Sequence, residues 1–204
     1  MNGKRIQTPD HWVDLDRDRV TLDGKLIEIR DRVYLLLYKP AGYLTTYKDP
    51  EHRPTVYHLL PGIDQFVFPV GRLDLDTSGL LIMTNDAQFA ERIMNPDFKV
   101  TKTYAVKCST PISDEQIERL RNGVELKDGP TRPAIVGRIG DSVSKLEITI
   151  TEGRNRQVRR MIEAVESKVL KLERSAIGSV GIGDLAPGAF RNLTLAERQA
   201  LTGI

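Results

Sequence analysis

A chain of 204 residues with 40% hydrophobic and 28% charged side chains has the make-up of one ordinary globular domain with a sizeable core, with room for a small appendage. The longest apolar runs, such as Val33 to Tyr38, fall far below membrane-spanning length, and the polar N-terminus has no apolar stretch after its basic residues. Export and membrane insertion are therefore not expected, and a cytoplasmic protein is. With 30 basic against 28 acidic residues the net charge of +2 does not by itself argue for a nucleic-acid partner, and the lone Cys108 cannot form an internal disulfide.

Residues 1 to 30 read as short strands and turns. Asn2-Gly3 and Asp23-Gly24 are turn dipeptides, and Val20 to Leu22 and Leu26 to Ile29 flank the second as a hairpin. Such a segment is too small to own a core. From residue 31 the pattern changes to longer β-like runs: Tyr34 to Lys39, Tyr43 to Thr46 and Phe66 to Val70. A helix is predicted over Asp86 to Met94, stopped by Asn95-Pro96, and another over Ser113 to Asn122, where Ser113 and Gln116 have capping-box spacing. Thr194 and Glu197 repeat that spacing. The alternating runs Thr103 to Ser109 and Lys145 to Thr151 read as strands, Arg156 to Val165 as a basic helix and Val169 to Ile177 as a strand. Strands and helices mix without a regular βαβ alternation, so the expectation is an α+β fold with a mixed, mainly antiparallel sheet and flanking helices. Cys108 is expected inside its strand.

Two segments carry candidate chemistry. In Gly71 to Asp86, Asp74, Asp76, Thr77 and Ser78 precede the apolar run Leu80 to Met83. Asp and Ser beside Gly suit a turn entering a buried strand. Arg72 stands two residues before Asp74, so an extended backbone would project both to one face, and a nearby cation favours the charged carboxylate that a nucleophile or base requires. Asp76 falls on the same face, which leaves a two-carboxylate hydrolase open. The second segment, Glu152 to Met161, holds four arginines (Arg154, Arg156, Arg159, Arg160) and, after Glu152, no acid. A helix beginning near Asn155 would put Arg156, Arg159 and Arg160 on one face, suited to phosphates or simply solvated. On the strand around Tyr104, Lys102 and Tyr104 share a face, where a tyrosine packs or stacks on a base. Lys39-Pro40 forms a rigid strand exit that would also present a lysine to a phosphate. His11, His52 and His58 are scattered without metal-ligand spacing, and no nucleotide-binding glycine motif or Gly-x-Ser-x-Gly occurs, so neither a metal nor a cofactor is expected.

Six segments taken in order resemble the pseudouridine synthases, and within them the group of the ribosomal small-subunit pseudouridine synthase A. They are Lys-Pro-Ala-Gly-Tyr (39 to 43), Gly-Arg-Leu-Asp-Leu-Asp-Thr-Ser-Gly-Leu (71 to 80), Lys-Thr-Tyr (102 to 104), Glu-Gly-Arg-Asn-Arg-Gln-Val-Arg-Arg-Met (152 to 161), Leu-x-Arg-x-x-Ile-Gly (172 to 178) and Gly-x-x-Arg-x-Leu (188 to 193). The resemblance implies a catalytic domain over residues 31 to 204 with a central RNA-binding cleft. It implies isomerisation of uridine to pseudouridine in ribosomal RNA, without metal or organic cofactor. Nothing in the sequence suggests an obligate oligomer, so a monomer is the expectation. By the same resemblance Asp74 is the catalytic carboxylate, Tyr104 stacks on the target base and takes part in proton transfer, and Arg159 pairs with the aspartate. Arg72 orients the loop and meets the flipped nucleotide. On charge alone, phosphate contacts from Lys39, Arg154, Arg156 and Arg160 would hold the RNA backbone while the base enters. Residues 1 to 30 resemble the second half of an S4 RNA-binding domain whose two preceding helices have no counterpart in the sequence. Two rivals remain: a catalytically silent RNA-binding protein on the same fold, and a hydrolase using Asp74 with Asp76. Asp76 is expected to turn away from the pocket or cap the turn.

Overall fold

The computed structural model describes residues 1–8, 11, 13–14, 17–26 and 31–203, and these fall into two units, Met1–Arg32 and Val33–Ile204. In the first unit β1 (Thr21–Leu22) pairs antiparallel with β2 (Lys25–Leu26). Asp23 and Gly24, at φ 48° and 77°, supply the left-handed backbone that a two-residue hairpin turn requires. Asn2 adopts the same conformation and ties the start of the chain to the stretch before β1. Its amide nitrogen donates to the Asp18 carboxylate at 2.7 Å, and its side-chain oxygen accepts from the Arg19 backbone N–H at 2.8 Å. The second arm expected to run to Ile29 is seen as far as Leu26, and residues 27–29 lie outside the described residues.

The second unit is a mixed sheet, nine-stranded among the described residues, with four helices. Its elements in chain order are β3 (Tyr34–Lys39), β4 (Phe68–Pro69), β5 (Ser78–Thr84), α1 (Ala87–Met94), β6 (Lys102–Cys108), α2 (Asp114–Asn122), the separate ribbon β7 (Glu125–Leu126) and β8 (Gly129–Pro130), β9 (Ile135–Arg138), β10 (Lys145–Ile150), α3 (Gln157–Ala164), β11 (Val169–Ile177), β12 (Val180–Gly181), β13 (Phe190–Asn192) and α4 (Leu195–Thr202). The strands run β13-β3-β5-β11-β6-β10-β9, with β4 beside β5 and β12 beside β11. All pairs are antiparallel except β5 with β11. The α+β class and the mainly antiparallel sheet read from the sequence are the ones observed.

Burial explains the sequence patterns. β3 and β5 send Leu36, Leu80 and Ile82 to one face, against Phe89, Ile93 and Leu201 of α1 and α4. They send Leu35, Leu37, Leu81 and Met83 to the other face, under Val56, Leu60, Val67 and Leu73. A strand covered on both faces needs no polar alternation, hence the unbroken runs Leu-Leu-Leu and Leu-Leu-Ile-Met. β6 and β10 alternate, because their apolar side packs on α2 and α3 through Val106, Leu146, Ile148, Leu120 and Ile162. Cys108 sits in that core, and burial pushes its thiol up to about 11. Both capping boxes form, Ser113 with Gln116 and Thr194 with Glu197, and Asp86 caps α1 by accepting from Gln88 N and Phe89 N.

Three local expectations are corrected. Tyr43 to Thr46 contributes only the bridge Leu44 to Thr55, because Thr45 turns its hydroxyl to the Leu73 carbonyl at 2.9 Å. Phe66 to Val70 shrinks to two residues, with Pro69 lacking the N–H a longer ladder uses. The basic helix starts at Gln157, since Arg156 is left-handed at φ 48°. β9 and β13, short and without strong alternation, were not anticipated.

The parallel strand pair β5–β11 also holds the tightest glycine contact among the described residues. Gly79 (φ 119°) lies opposite Arg174, and a Cβ there would stand 2.3 Å from the Arg174 carbonyl oxygen and 2.4 Å from its nitrogen. Gly79→Ala must therefore part β5 from β11 and occupy a strained backbone. It should cost roughly 3–5 kcal/mol, read as a thermal midpoint lowered by roughly 6 °C or more.

Candidate active site

The residues from Gly71 to Thr77 leave β4, make one tight turn and enter β5. Leu73 is the anchor, buried under β3 and β5 and bonded through both backbone groups to the Thr45 hydroxyl. Thr77 N–H donates to the Asp74 carbonyl at 3.1 Å, closing the turn, and the Leu75 carbonyl accepts from Gly42 N–H at 2.7 Å. Beneath it lies Lys39. Its ammonium donates to the carbonyls of Pro40 (3.0 Å), Asp74 (3.1 Å) and Thr77 (2.7 Å), and its side chain is fully buried. Burial pushes the Lys39 ammonium down to about 8, against the opposing pull of the Asp74 and Asp76 carboxylates. The expectation that Lys39 meets a phosphate is thus overturned, because all three of its donors are spent inside the fold and no part of it reaches solvent.

The turn forms one wall of a cleft of about 640 Å³, large enough for a nucleoside. The stretch from Gly153 to Val158 forms a second wall, and Lys102, Tyr104, Leu172 and Arg174 of β6 and β11 also line it. Asp74 lines the cleft with its side chain 30% exposed, near two arginines: Arg156 Nη1 stands 3.6 Å and Arg159 Nε 4.0 Å from Asp74 Oδ2. Arg159 is 7% exposed and makes its shorter contacts to Asp76, with Nη2 3.0 Å from Asp76 Oδ2 and donating to the Asp76 carbonyl at 3.1 Å and the Thr77 hydroxyl at 3.3 Å. Its Nε has no hydrogen-bond partner among the described residues. Arg159 therefore holds the turn chiefly through Asp76 and faces Asp74 with an unspent donor. Asp76 is not part of the cleft lining, as expected, but it does not cap the turn. It bridges Arg159 and Arg156.

The four arginines of 154 to 160 do not share one face. Arg154 turns to the carbonyls of Gly129 (2.9 Å) and Pro130 (2.5 Å), and Arg160 forms a two-pronged ion pair with Asp128 at 2.7 and 3.1 Å. The Arg160 guanidinium holds the Asp128 carboxyl below the usual range. These two arginines brace the turn between β7 and β8, a partner 24 to 32 residues away in sequence that the basic run gave no hint of. Glu152, 8% exposed, locks the loop by accepting from Arg132 N–H and from the Gln157 and Arg154 side chains. Arg72 and Arg156 are exposed on the cleft, and no hydrogen bond or ion pair engages Arg72 among the described residues.

Lys102 and Arg174, both in the cleft, received no role from the sequence. The available signal was a lysine and an arginine standing where strands β6 and β11 otherwise point apolar residues inward. Among the described residues no group of three or more His, Cys, Asp or Glu could hold a metal ion, and no helix is long and apolar enough to cross a membrane.

The sequence matches the family described as RNA pseudouridylate synthase over residues 33–164. It is 38% identical over 191 residues to the ribosomal large subunit pseudouridine synthase B of Bacillus subtilis (strain 168), covering 92% of this chain and 78% of that one. It is 39% identical over 167 residues to the ribosomal small subunit pseudouridine synthase A of Escherichia coli (strain K12), covering 80% and 71%. A solved structure described as a crystal structure of pseudouridylate synthase superposes with a TM-score of 0.79 at 32% identity, covering 98% of this chain and 86% of that one.

Replacing Lys39 by methionine should take the ammonium away from three inward carbonyls, of which that of Asp74 keeps the Thr77 N–H. The expected loss is roughly 3 kcal/mol or more, a fall of roughly 6–12 °C in the thermal midpoint, with little change in far-UV circular dichroism.

Proposed function

The chain belongs to the RNA pseudouridylate synthase family, and on this basis we propose that it isomerises specific uridines of ribosomal RNA to pseudouridine with Asp74 as the catalytic carboxylate. The observation that carries the assignment is the cleft itself. A carboxylate on a turn clamped from beneath by Lys39 faces the same space as the Tyr104 ring, with Arg156 and Arg159 beside it.

The reaction breaks the bond from ribose C1′ to uracil N1, turns the base and joins C1′ to C5, from which a proton then leaves. No atoms are added, so the protein's task is to hold the nucleotide and stabilise charge as it separates. Attack on the ribose, attack on the base and removal of a ribose proton all begin from the Asp74 carboxylate. Tyr104, half-buried on β6, offers a ring to stack on the base and a hydroxyl to pass the C5 proton. Arg159, held by Asp76 and Thr77, positions the turn and keeps its free Nε toward Asp74. The target must leave its stack to enter, at a cost of a few kcal/mol that is smaller in loops. Arg72 and Arg156, exposed at the rim, are assigned to the RNA backbone, whereas Arg154 and Arg160 are assigned to bracing the β7–β8 turn. A monomer acting in the cytoplasm is the assembly and location assigned to the chain. The first unit, with Lys4, Arg5, Arg17, Arg19 and Lys25 exposed, is assigned to accessory RNA contact in the manner of an S4 segment.

A hydrolase built on paired carboxylates would need Asp74 and Asp76 to face one pocket, and Asp76 is instead engaged by Arg159 away from the lining.

Tritium release from ribosomal RNA labelled at uridine C5 measures the reaction directly. Asp74→Asn should lower it by about 10³-fold or more while RNA binding persists, and turnover that survives this change removes the assignment. Tyr104→Phe should slow release ~10²-fold, and full turnover would leave the ring a stacking role only. For Arg72→Gln and Arg156→Gln, the log–log dependence of RNA affinity on salt should each become shallower by roughly 0.7–1, and an unchanged slope would place those side chains off the phosphates.

A further inference from the structure

Lys102 and Arg174 are an electrostatic anomaly in the cleft. Lys102 is 9% exposed and its ammonium has one hydrogen-bond partner, the Ile93 carbonyl at 3.2 Å. Arg174 is 4% exposed. Its Nε donates to the Leu80 carbonyl at 2.8 Å, and its Nη2 has no partner among the described residues. No carboxylate forms an ion pair with either among the described residues, and burial together with the Arg174 charge lowers the Lys102 ammonium to about 8. A lysine carries three donors and an arginine five, so most of this capacity is unspent. Burying two neighbouring cations without a counter-charge is costly, and such a cost persists at a site where a ligand supplies the missing acceptors.

The surroundings say which part of a nucleotide fits. The exposed cations, Arg72 and Arg156, stand at the rim where a backbone runs. Lys102 and Arg174 lie deeper, beside the Tyr104 ring and among the apolar side chains of Ile93, Leu172 and Ile177. An apolar slot with a stacking ring receives a flat base, and a base offers carbonyl oxygens to cations at the slot's end.

We propose that Lys102 and Arg174 are catalytic residues that donate hydrogen bonds to the O2 and O4 carbonyl oxygens of the target uracil and stabilise the negative charge it acquires. This rests on the isomerase reading above. When the bond between C1′ and N1 breaks, its electron pair stays with the base and spreads over N1, O2 and O4. The base turns, C5 bonds to C1′, the C5 proton leaves and N1 takes up a proton, so atoms and electrons balance. Addition of Asp74 to the base would also place negative charge on a carbonyl oxygen. On either route two preorganised cations act where charge develops. They would further favour uracil over cytosine, whose amino group at C4 brings hydrogen toward the same cations.

The test uses the full chain and transcribed ribosomal RNA containing uridine, 2-thiouridine or 4-thiouridine, with the isomerised nucleoside measured by mass spectrometry. Sulfur accepts hydrogen bonds poorly, so the parent should turn over at least one thio-RNA ~10-fold more slowly than uridine RNA. Arg174→Gln and Lys102→Gln should each lower kcat ~10²-fold with KM changed less than about threefold, and each should lose the extra slowing at the sulfur position its cation faces. Arg174→Lys and Lys102→Arg should recover part of kcat, which a purely structural role does not predict. Equal turnover of all three RNAs by the parent overturns the proposal without requiring any variant to fold. So does undiminished kcat in both glutamine variants, or the same thio penalty in parent and variants. Turnover of uridine RNA by the parent, and its loss in Asp74→Asn, shows separately whether the isomerase reading stands.

Discussion

Three carbonyl oxygens converge on the Lys39 ammonium, and the shape of the cleft depends on that convergence. A buried charge is tolerable only when its hydrogen-bonding capacity is met, and here three donors meet three acceptors, two of them at the ends of the Asp74 turn. The last residue of β3 therefore determines the backbone of a segment 35 residues later. An arginine would not fit the same space, since its planar fork cannot gather three carbonyls around one point. Pro40 follows directly, fixing the chain's exit so that Gly42 N–H reaches the Leu75 carbonyl from the other side. The turn is gripped at both faces, and its side chains are left to point outward: Asp74 into the cleft, Asp76 toward Arg159.

The same turn is bound to the rest of the sheet through the parallel step between β5 and β11. Glu173 lies opposite Ser78 and Arg174 opposite Gly79, while on its other edge β11 sets Arg174 opposite Tyr104 of β6. One register thus aligns the end of the Asp74 turn, the Arg174 guanidinium and the Tyr104 ring across three adjacent strands. Only a residue without a Cβ permits this approach at Gly79, so a backbone constraint and the relative placement of the cleft's groups are one and the same feature.

Much of this was legible in the sequence where the signal is local. Strands β3 and β11 and the helices around 87–94 and 114–122 declare themselves by apolar pattern, by Asp86 and by the Ser113 box, each of which acts within a few residues. Asp74 stood out because a carboxylate beside an arginine on a glycine-flanked turn is a compact arrangement. The partners were not legible, because they are settled by tertiary contact. Nothing in Arg-Asn-Arg-Gln-Val-Arg-Arg says that Arg160 and Arg154 will turn to the 128–130 turn while Arg156 and Arg159 reach residues 74–77. That division follows from the left-handed Arg156 and from α3 packing Val158, Met161 and Ile162 into the core. Lys39 misled for the same reason: a lysine at a strand exit usually meets solvent, and only the folded turn supplies the carbonyls that draw it inside.

The charges of the cleft then fall into two groups that differ in how they are satisfied. Lys39, Arg154, Asp76 and the two Nη groups of Arg160 have their partners within the chain, and together they brace the turn and the opposite wall. Arg72, Arg159 at its Nε, Arg174 at its Nη2 and Lys102 at most of its ammonium do not. A fold seeking stability alone would fill the Lys102 and Arg174 positions with apolar side chains of similar volume, because buried cations without a counter-charge oppose folding. Their presence around one carboxylate and one tyrosine, inside an otherwise well-packed sheet, means that the free cleft holds positive potential in excess of its own Asp74. That excess is what an anionic polymer at the rim and, in the reaction proposed above, a base gaining negative charge at the floor call for.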